Sequence, residues 1–131
     1  MSYKSRMRPL WPIEREVLEI TAAEYPASAE ALRQQIDTAR VISFENSGAG
    51  FFSDLVVATN ARLLTEKSPL NGAYGNVLGI EHGMGFIVFL KDGRLSMIEG
   101  YCNGDVSTTE VDFSRVVYGL TPWSPRSDVK P

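Results

Sequence analysis

The sequence predicts an α+β domain in which two N-terminal helices precede an antiparallel meander of five or six strands. Three observations carry this. The first third of the chain repeats apolar residues at helical spacing. The rest switches to short β-branched and aromatic runs punctuated by glycine turns. Helices and strands do not alternate, which excludes a Rossmann or TIM arrangement.

The first helix starts at Pro12, whose missing N–H would have had no intrahelical partner at that position. Glu14 and Glu16 follow in the first turn, where the helix dipole favours negative charge. Ile13, Val17, Leu18 and Ile20 give the apolar face. Tyr25-Pro26 ends the helix, because a residue before proline is pushed out of the α region. Ser28 is the expected N-cap of a second helix with Ala29, Leu32, Ile36 and Ala39 on one stripe and Glu30, Arg33, Gln34 and Asp37 opposite.

From Arg40 the period changes. Residues 40–46 and 51–58 read as a hairpin around the turn cluster Ser47-Gly48-Ala49-Gly50. Thr59 to Gly72 is the longest loop, with Ala61 to Leu64 able to form a helical turn in it. Gly75 to Glu81 reads as a short strand, and His82-Gly83-Met84-Gly85 as the turn after it. Phe86 to Leu90 and Leu95 to Tyr101 then flank Asp92-Gly93, a pair suited to a type I′ turn because both positions need positive φ. Phe86 to Leu90 is apolar on both faces, so it should be central, with helices on one side and a loop, a tail or a second subunit on the other. Phe113 to Tyr118 is a last strand or a short helix. Trp11 and Trp123, both beside prolines, should pin the ends of the chain to the core.

The chain has 131 residues, suited to a single domain, with a basic N-terminal tail over residues 1–10 and a polar tail over 124–131. One cysteine, Cys102, and one histidine, His82, exclude a disulfide scaffold and an ordinary structural zinc site. A reducing, cytoplasmic setting is expected. A net charge of −3 opposes nucleic-acid binding, and the longest apolar run, residues 85–90, is too short to cross a membrane. No cofactor motif is present: the glycines at 79, 83 and 85 lead into a strand, and without a helix N-terminus they form no phosphate cradle.

No catalytic constellation emerges, and the candidate binding surface is Glu81, His82, Glu99, Tyr101, Asp105 and Asp112. Glu81-His82 is the one place where an imidazole adjoins a carboxylate, although neighbours on a strand point to opposite faces. Cys102 would need strand order to bring it near His82. Glu99 shares a strand face with Leu95, Met97 and Tyr101, so it must sit at a rim, pair with Arg40, Arg94 or Arg115, or enter a cavity. Together with Asp105, Glu110 and Asp112 it would make a negative mouth at one end of the sheet, suited to a cationic partner.

Glu16-Val17-Leu18, Ala31 to Ile36, Thr38 to Val41, Phe52 to Val57 and Lys91 to Glu99 together resemble small bacterial α+β proteins in which a helical pair precedes strands and a "GRL…LE" strand. The resemblance implies a domain of unknown function. Immunity proteins against bacterial toxins share such a build by fold-level analogy. The expected function is therefore a non-enzymatic protein-binding module, toxin-neutralising in one version, whose partner offers a cationic surface; a homodimer would fit the doubly apolar strand. The alternative is a ligand-binding or hydrolytic pocket between helices and sheet using Glu99, His82 or Cys102.

Overall fold

The computed structural model describes residues 7–123. Most of the expected N-terminal tail and the polar segment 124–131 lie outside the described residues. Helices α1 (Pro12–Glu24) and α2 (Ala29–Thr38), joined by a 3₁₀ turn at Pro26–Ser28, precede strands β1 (Arg40–Asn46), β2 (Gly50–Val56), β3 (Leu70–Val77), β4 (Ile80–Lys91), β5 (Arg94–Cys102) and β6 (Tyr118–Pro122). All pairings are antiparallel, in the order β1-β2-β5-β4-β3-β6. Only β3-β4-β5 run as consecutive neighbours in a meander; the β1-β2 hairpin adds to β5, and the chain returns across the sheet to lay β6 on β3.

Both helices and the segment 103–117 pack on one face. Ile13, Val17 and Leu18 of α1 and Leu32 and Ile36 of α2 are buried with Phe51, Phe86, Val88 and Ile98 of the sheet. Phe113 meets Phe51 at a tilted 4.7 Å. Thr108, fully buried, donates to Asn46 Oδ1 and accepts from the Gly50 N–H, tying this segment to the β1-β2 turn.

Polar side chains that the periodicity does not single out set the helix positions. Glu14 is fully buried and accepts two hydrogen bonds from Arg8 at 2.9 Å, one from the Trp11 N–H at 2.7 Å and one from the Ser53 hydroxyl at 2.6 Å. The Trp11 bond is half of a capping box, with glutamate three residues after the N-cap. Arg8 also lies 3.4 Å from the centre of the Trp11 ring and pairs its backbone with Val41 of β1. The expected basic tail therefore does not extend to Arg8, which is part of the packed structure. Gln35 of α2, also fully buried, donates to the carbonyls of Arg62 and Gly93 and accepts from the Leu95 N–H.

The structure corrects several local expectations. Ser28 does not cap α2 with its side chain; its hydroxyl donates to Glu66 instead. The turn placed at residues 82–85 lies earlier, at Leu78-Gly79, and His82 to Gly85 belong to β4. Consecutive positive φ values at His82 (73°) and Gly83 (72°) make a bulge there, not a chain reversal: Gly75 faces Met84 while Val77 faces Ile80. Residues 113–115 form a turn, and the last strand starts at Tyr118. No helical turn forms at 61–64. The Asp92-Gly93 turn has φ of 52° and 76°, as type I′ demands.

Removing Arg8 leaves the Glu14 carboxylate buried without its cation. Arg8→Ala should destabilise the fold by about 3 kcal/mol, and Arg8→Lys, which keeps the charge and loses the fork, should fall between it and the parent in urea denaturation. Gln35→Leu keeps the volume but strands the Leu95 N–H and the Arg62 carbonyl. Its expected cost is about 3 kcal/mol, and a loss below about 0.5 kcal/mol would mean that those groups find other partners.

Candidate functional site

Alternation along a strand divides the sheet residues into two sets. Ser53 reaches Glu14 on α1, so Phe52 and Asp54 point to the opposite side. Register extends this face across the sheet. Phe52 lies beside Glu99, and Glu99 beside Ile87; Asp54 lies beside Met97, and Met97 beside Phe89. Tyr101 pairs with Gly85, which pairs with Tyr74. A side chain at Gly85 would collide with the Tyr101 ring, so glycine there lets the ring lie flat across β4. Tyr74 meets Trp123 edge-on at 5.5 Å.

Among the described residues nothing covers this face. Phe52, Ile87, Phe89, Met97 and Tyr101 are half-buried. Water-facing sheet surfaces usually carry polar residues at these positions. Here an aromatic and aliphatic surface takes their place, with Glu45, Asp54 and Glu99 as its acidic members. The doubly apolar strand is thus central, as its pattern predicts, and of the three covers open to its second face the long loop packs elsewhere: Leu64 is buried and bonded to Gly93, and Glu66 holds Ser28.

The sequence-derived surface residues separate into three places. Glu99 and Tyr101 stand together on the open face. The arginines named as partners of Glu99 are engaged elsewhere: Arg40 bonds the Ala39 carbonyl, Arg94 the Thr59 carbonyl, and Arg115 pairs with Asp112. Among the described residues Glu99 has no ion pair. Burial, and after it the Glu99 charge, raises the Tyr101 phenol above its ordinary value.

Glu81 and His82 occupy the β4 bulge at the end of the sheet. The left-handed conformation of His82 breaks strand alternation, so the two side chains do not point to opposite faces as expected; His82 Nε2 lies 4.0 Å from Glu81 Oε2, with both groups exposed. Asn103 donates to the His82 carbonyl, and Gly104 lies against the His82 ring, which brings exposed Asp105 to the same end. A cleft of about 460 Å³ opens here, lined by Tyr74, Asn76, His82, Asn103 and Thr121.

Asp112 belongs to the segment on the helix side. Its carboxylate accepts from the Ser114 hydroxyl at 2.6 Å and amide at 3.0 Å, and these bonds, hydroxyl first, hold its pKa below the ordinary value. Glu99, Asp105 and Asp112 therefore do not form one mouth. Glu99 and Cys102 are three residues apart on β5 and point to opposite faces, and burial pushes the Cys102 thiol up, away from thiolate chemistry. His82, Cys102 and Glu99 thus do not gather around one reacting centre.

Alternation along β5 places Met97 with Glu99 and Tyr101, but Phe52, Ile87 and Phe89 join them only through strand order. The one available signal was the two-sided apolar pattern of residues 86–90.

Tyr101 reports the polarity of the open face. Glu99→Gln should lower its pKa without returning it to the ordinary 10.0, because burial is the larger cause. Tyrosinate absorbance, with Tyr101→Phe as the subtraction blank, measures this; an unchanged titration would separate the two side chains. Since the folded phenol titrates high, its contribution to stability is whole below pH 10.0 and is lost as pH rises through the folded value.

No protein-family model matches the chain, and no curated protein or solved structure matches it either.

Proposed function

We propose that this chain is a protein-binding module that receives its partner on the open face of the sheet, and that the partner offers cationic side chains set among apolar ones. The observation that carries the reading is Glu99, without an ion pair among the described residues, in the middle of a face built from Phe52, Ile87, Met97 and Tyr101. Contiguous apolar surface of this kind marks interaction sites on soluble domains. Aromatic and methionine side chains supply contact area at the centre of interfaces, where charged groups are normally depleted. A carboxylate in that position gains a strong, charge-assisted bond when a partner's lysine or arginine arrives and water leaves.

The acidic positions also limit the choice of partner. Glu45, Asp54 and Glu99 would repel an acidic surface, and the phosphate backbone of a nucleic acid would meet the same repulsion. No helix among the described residues is long and apolar enough to cross a membrane. A basic toxin is one protein with the required chemistry.

Affinity capture at low salt, with mass-spectrometric identification, tests the reading. The parent chain should retain a basic protein whose binding weakens as salt rises. Glu99→Lys should weaken it by at least about 30-fold, the lower range for disrupting a buried charge pair, and Phe52→Asp should do the same through the apolar component. Recovery of no partner, or of one indifferent to both substitutions, would overturn the proposal.

A further inference from the structure

The two edges of the sheet are finished differently. On β1 the backbone of Arg8 exchanges hydrogen bonds with Val41, at 3.1 and 2.8 Å, so the chain's own N-terminal segment occupies part of that edge. On β6 no such cover exists among the described residues. The Leu78 N–H bonds the Val117 carbonyl and the Trp123 N–H bonds the Gly72 carbonyl. Backbone direction alternates along an antiparallel ladder, so residues 117, 119, 121 and 123 turn their polar groups toward β3. Tyr118 and Leu120 then direct both N–H and C=O outward, and Pro122 directs its carbonyl.

Edges left open in this way are normally protected by charge, by proline, by being short or by a covering segment. Strand β6, Tyr-Gly-Leu-Thr-Pro, is short and has its proline at the last position, but it carries no charge. Exposed apolar side chains also collect around it: Leu78 is 70% exposed, Val117 64%, Tyr74 42% and Trp123 40%. A mainly apolar groove of about 590 Å³, lined by Val77, Leu78, Ile80, Val117 and Tyr118 together with Asn76 and Glu81, opens at its N-terminal end.

We infer that β6 is a self-association edge, and that two copies of this chain pair their β6 strands antiparallel about a two-fold axis at Leu120. That register is self-complementary. Leu120 exchanges both backbone bonds with its counterpart, and each Tyr118 N–H meets the carbonyl of the other copy's Pro122. Pro122 has no N–H to return, so each Tyr118–Pro122 pair keeps one bond of two and the Tyr118 carbonyl stays open to water. Directly opposed residues of an antiparallel pair share a face, so Val117 of each copy lies beside Trp123 of the other, and each Trp123 comes to the mainly apolar groove at Leu78 and Val117. A two-fold interface requires such reciprocity. No charged residue of β6 opposes its like, whereas two open faces pressed together would set Glu99 against Glu99.

The inference stands on the edge and not on the docking reading, but it has a consequence for that reading. A two-fold axis normal to the sheet puts both open faces on the same side of a continuous twelve-stranded sheet, six from each copy.

Sedimentation of the full chain over a concentration series, to on the order of 100 µM where small interfaces register, should show a dimer. Gly119→Lys is sterically free, since nothing lies within 4 Å of a side chain placed there, and Val117 is already exposed. Gly119→Lys and Val117→Asp should each weaken association at least about tenfold, while Glu99→Lys should leave it unchanged. In parallel, amide exchange at Tyr118 and Leu120 should slow as concentration rises. A monomer throughout, a dimer indifferent to Gly119→Lys and Val117→Asp, or exchange at these amides independent of concentration would each overturn the inference.

Discussion

The buried carboxylate of Glu14 is the constraint around which this fold is arranged. An ionised group with no exposure is tolerated only if its oxygens are fully engaged, and here the partners come from three parts of the chain: Arg8 before the first helix, the Trp11 amide at its cap and Ser53 on β2. Satisfying Glu14 therefore fixes the start of α1 over the β1-β2 hairpin and draws the N-terminal segment along the edge of β1. Replacing such a cluster by apolar side chains can be neutral in stability, so its contribution lies as much in geometry as in energy. Arg8 is held from its other side by the Trp11 ring, and Trp11 by Phe44.

Gln35 performs the equivalent task for α2. It joins the helix to the Arg62 and Gly93 carbonyls and to the amide of Leu95, beyond the β4-β5 turn. With both helices anchored to one side, and the segment 103–117 packed beside them through Phe113 and Thr108, the described chain has covered one face of its sheet and left the other bare. That asymmetry is the source of the functional reading. Apolar residues on the bare face are half-buried, and their strand-register neighbours are other residues of the same face. Among the described residues Glu99 has no ion pair, and Arg40, Arg94 and Arg115 are engaged elsewhere.

Much of the architecture is legible in the chain. Helical spacing, Pro12 and Pro26 define both helices; the Asp92-Gly93 pair defines the β4-β5 hairpin; and the two-sided apolar run at residues 86–90 identifies a central strand. The errors have local causes. Glycines at 83 and 85 suggest a turn, but Gly83 serves a bulge and Gly85 makes room for the Tyr101 ring. Glu14 is a first-turn acid by position, although Val17, Leu18 and Thr21 at i+3, i+4 and i+7 place it on the buried stripe. Adjacent Glu81 and His82 are separated by strand alternation only while φ stays negative, and at His82 it does not.

Local chemistry along the chain is sufficient for the α+β class, the helix limits and the type I′ turn, because each follows from spacing, φ preferences or a missing N–H within a few residues. It also identifies Glu99 as a carboxylate among apolar neighbours on its own strand. Strand order belongs to the tertiary structure. Only with β5 between β2 and β4 do Phe52 and Ile87 come to flank Glu99, Asp112 fall on the helix side and β6 become an edge. Those placements depend on contacts between residues far apart in sequence, about which periodicity within a segment carries no information.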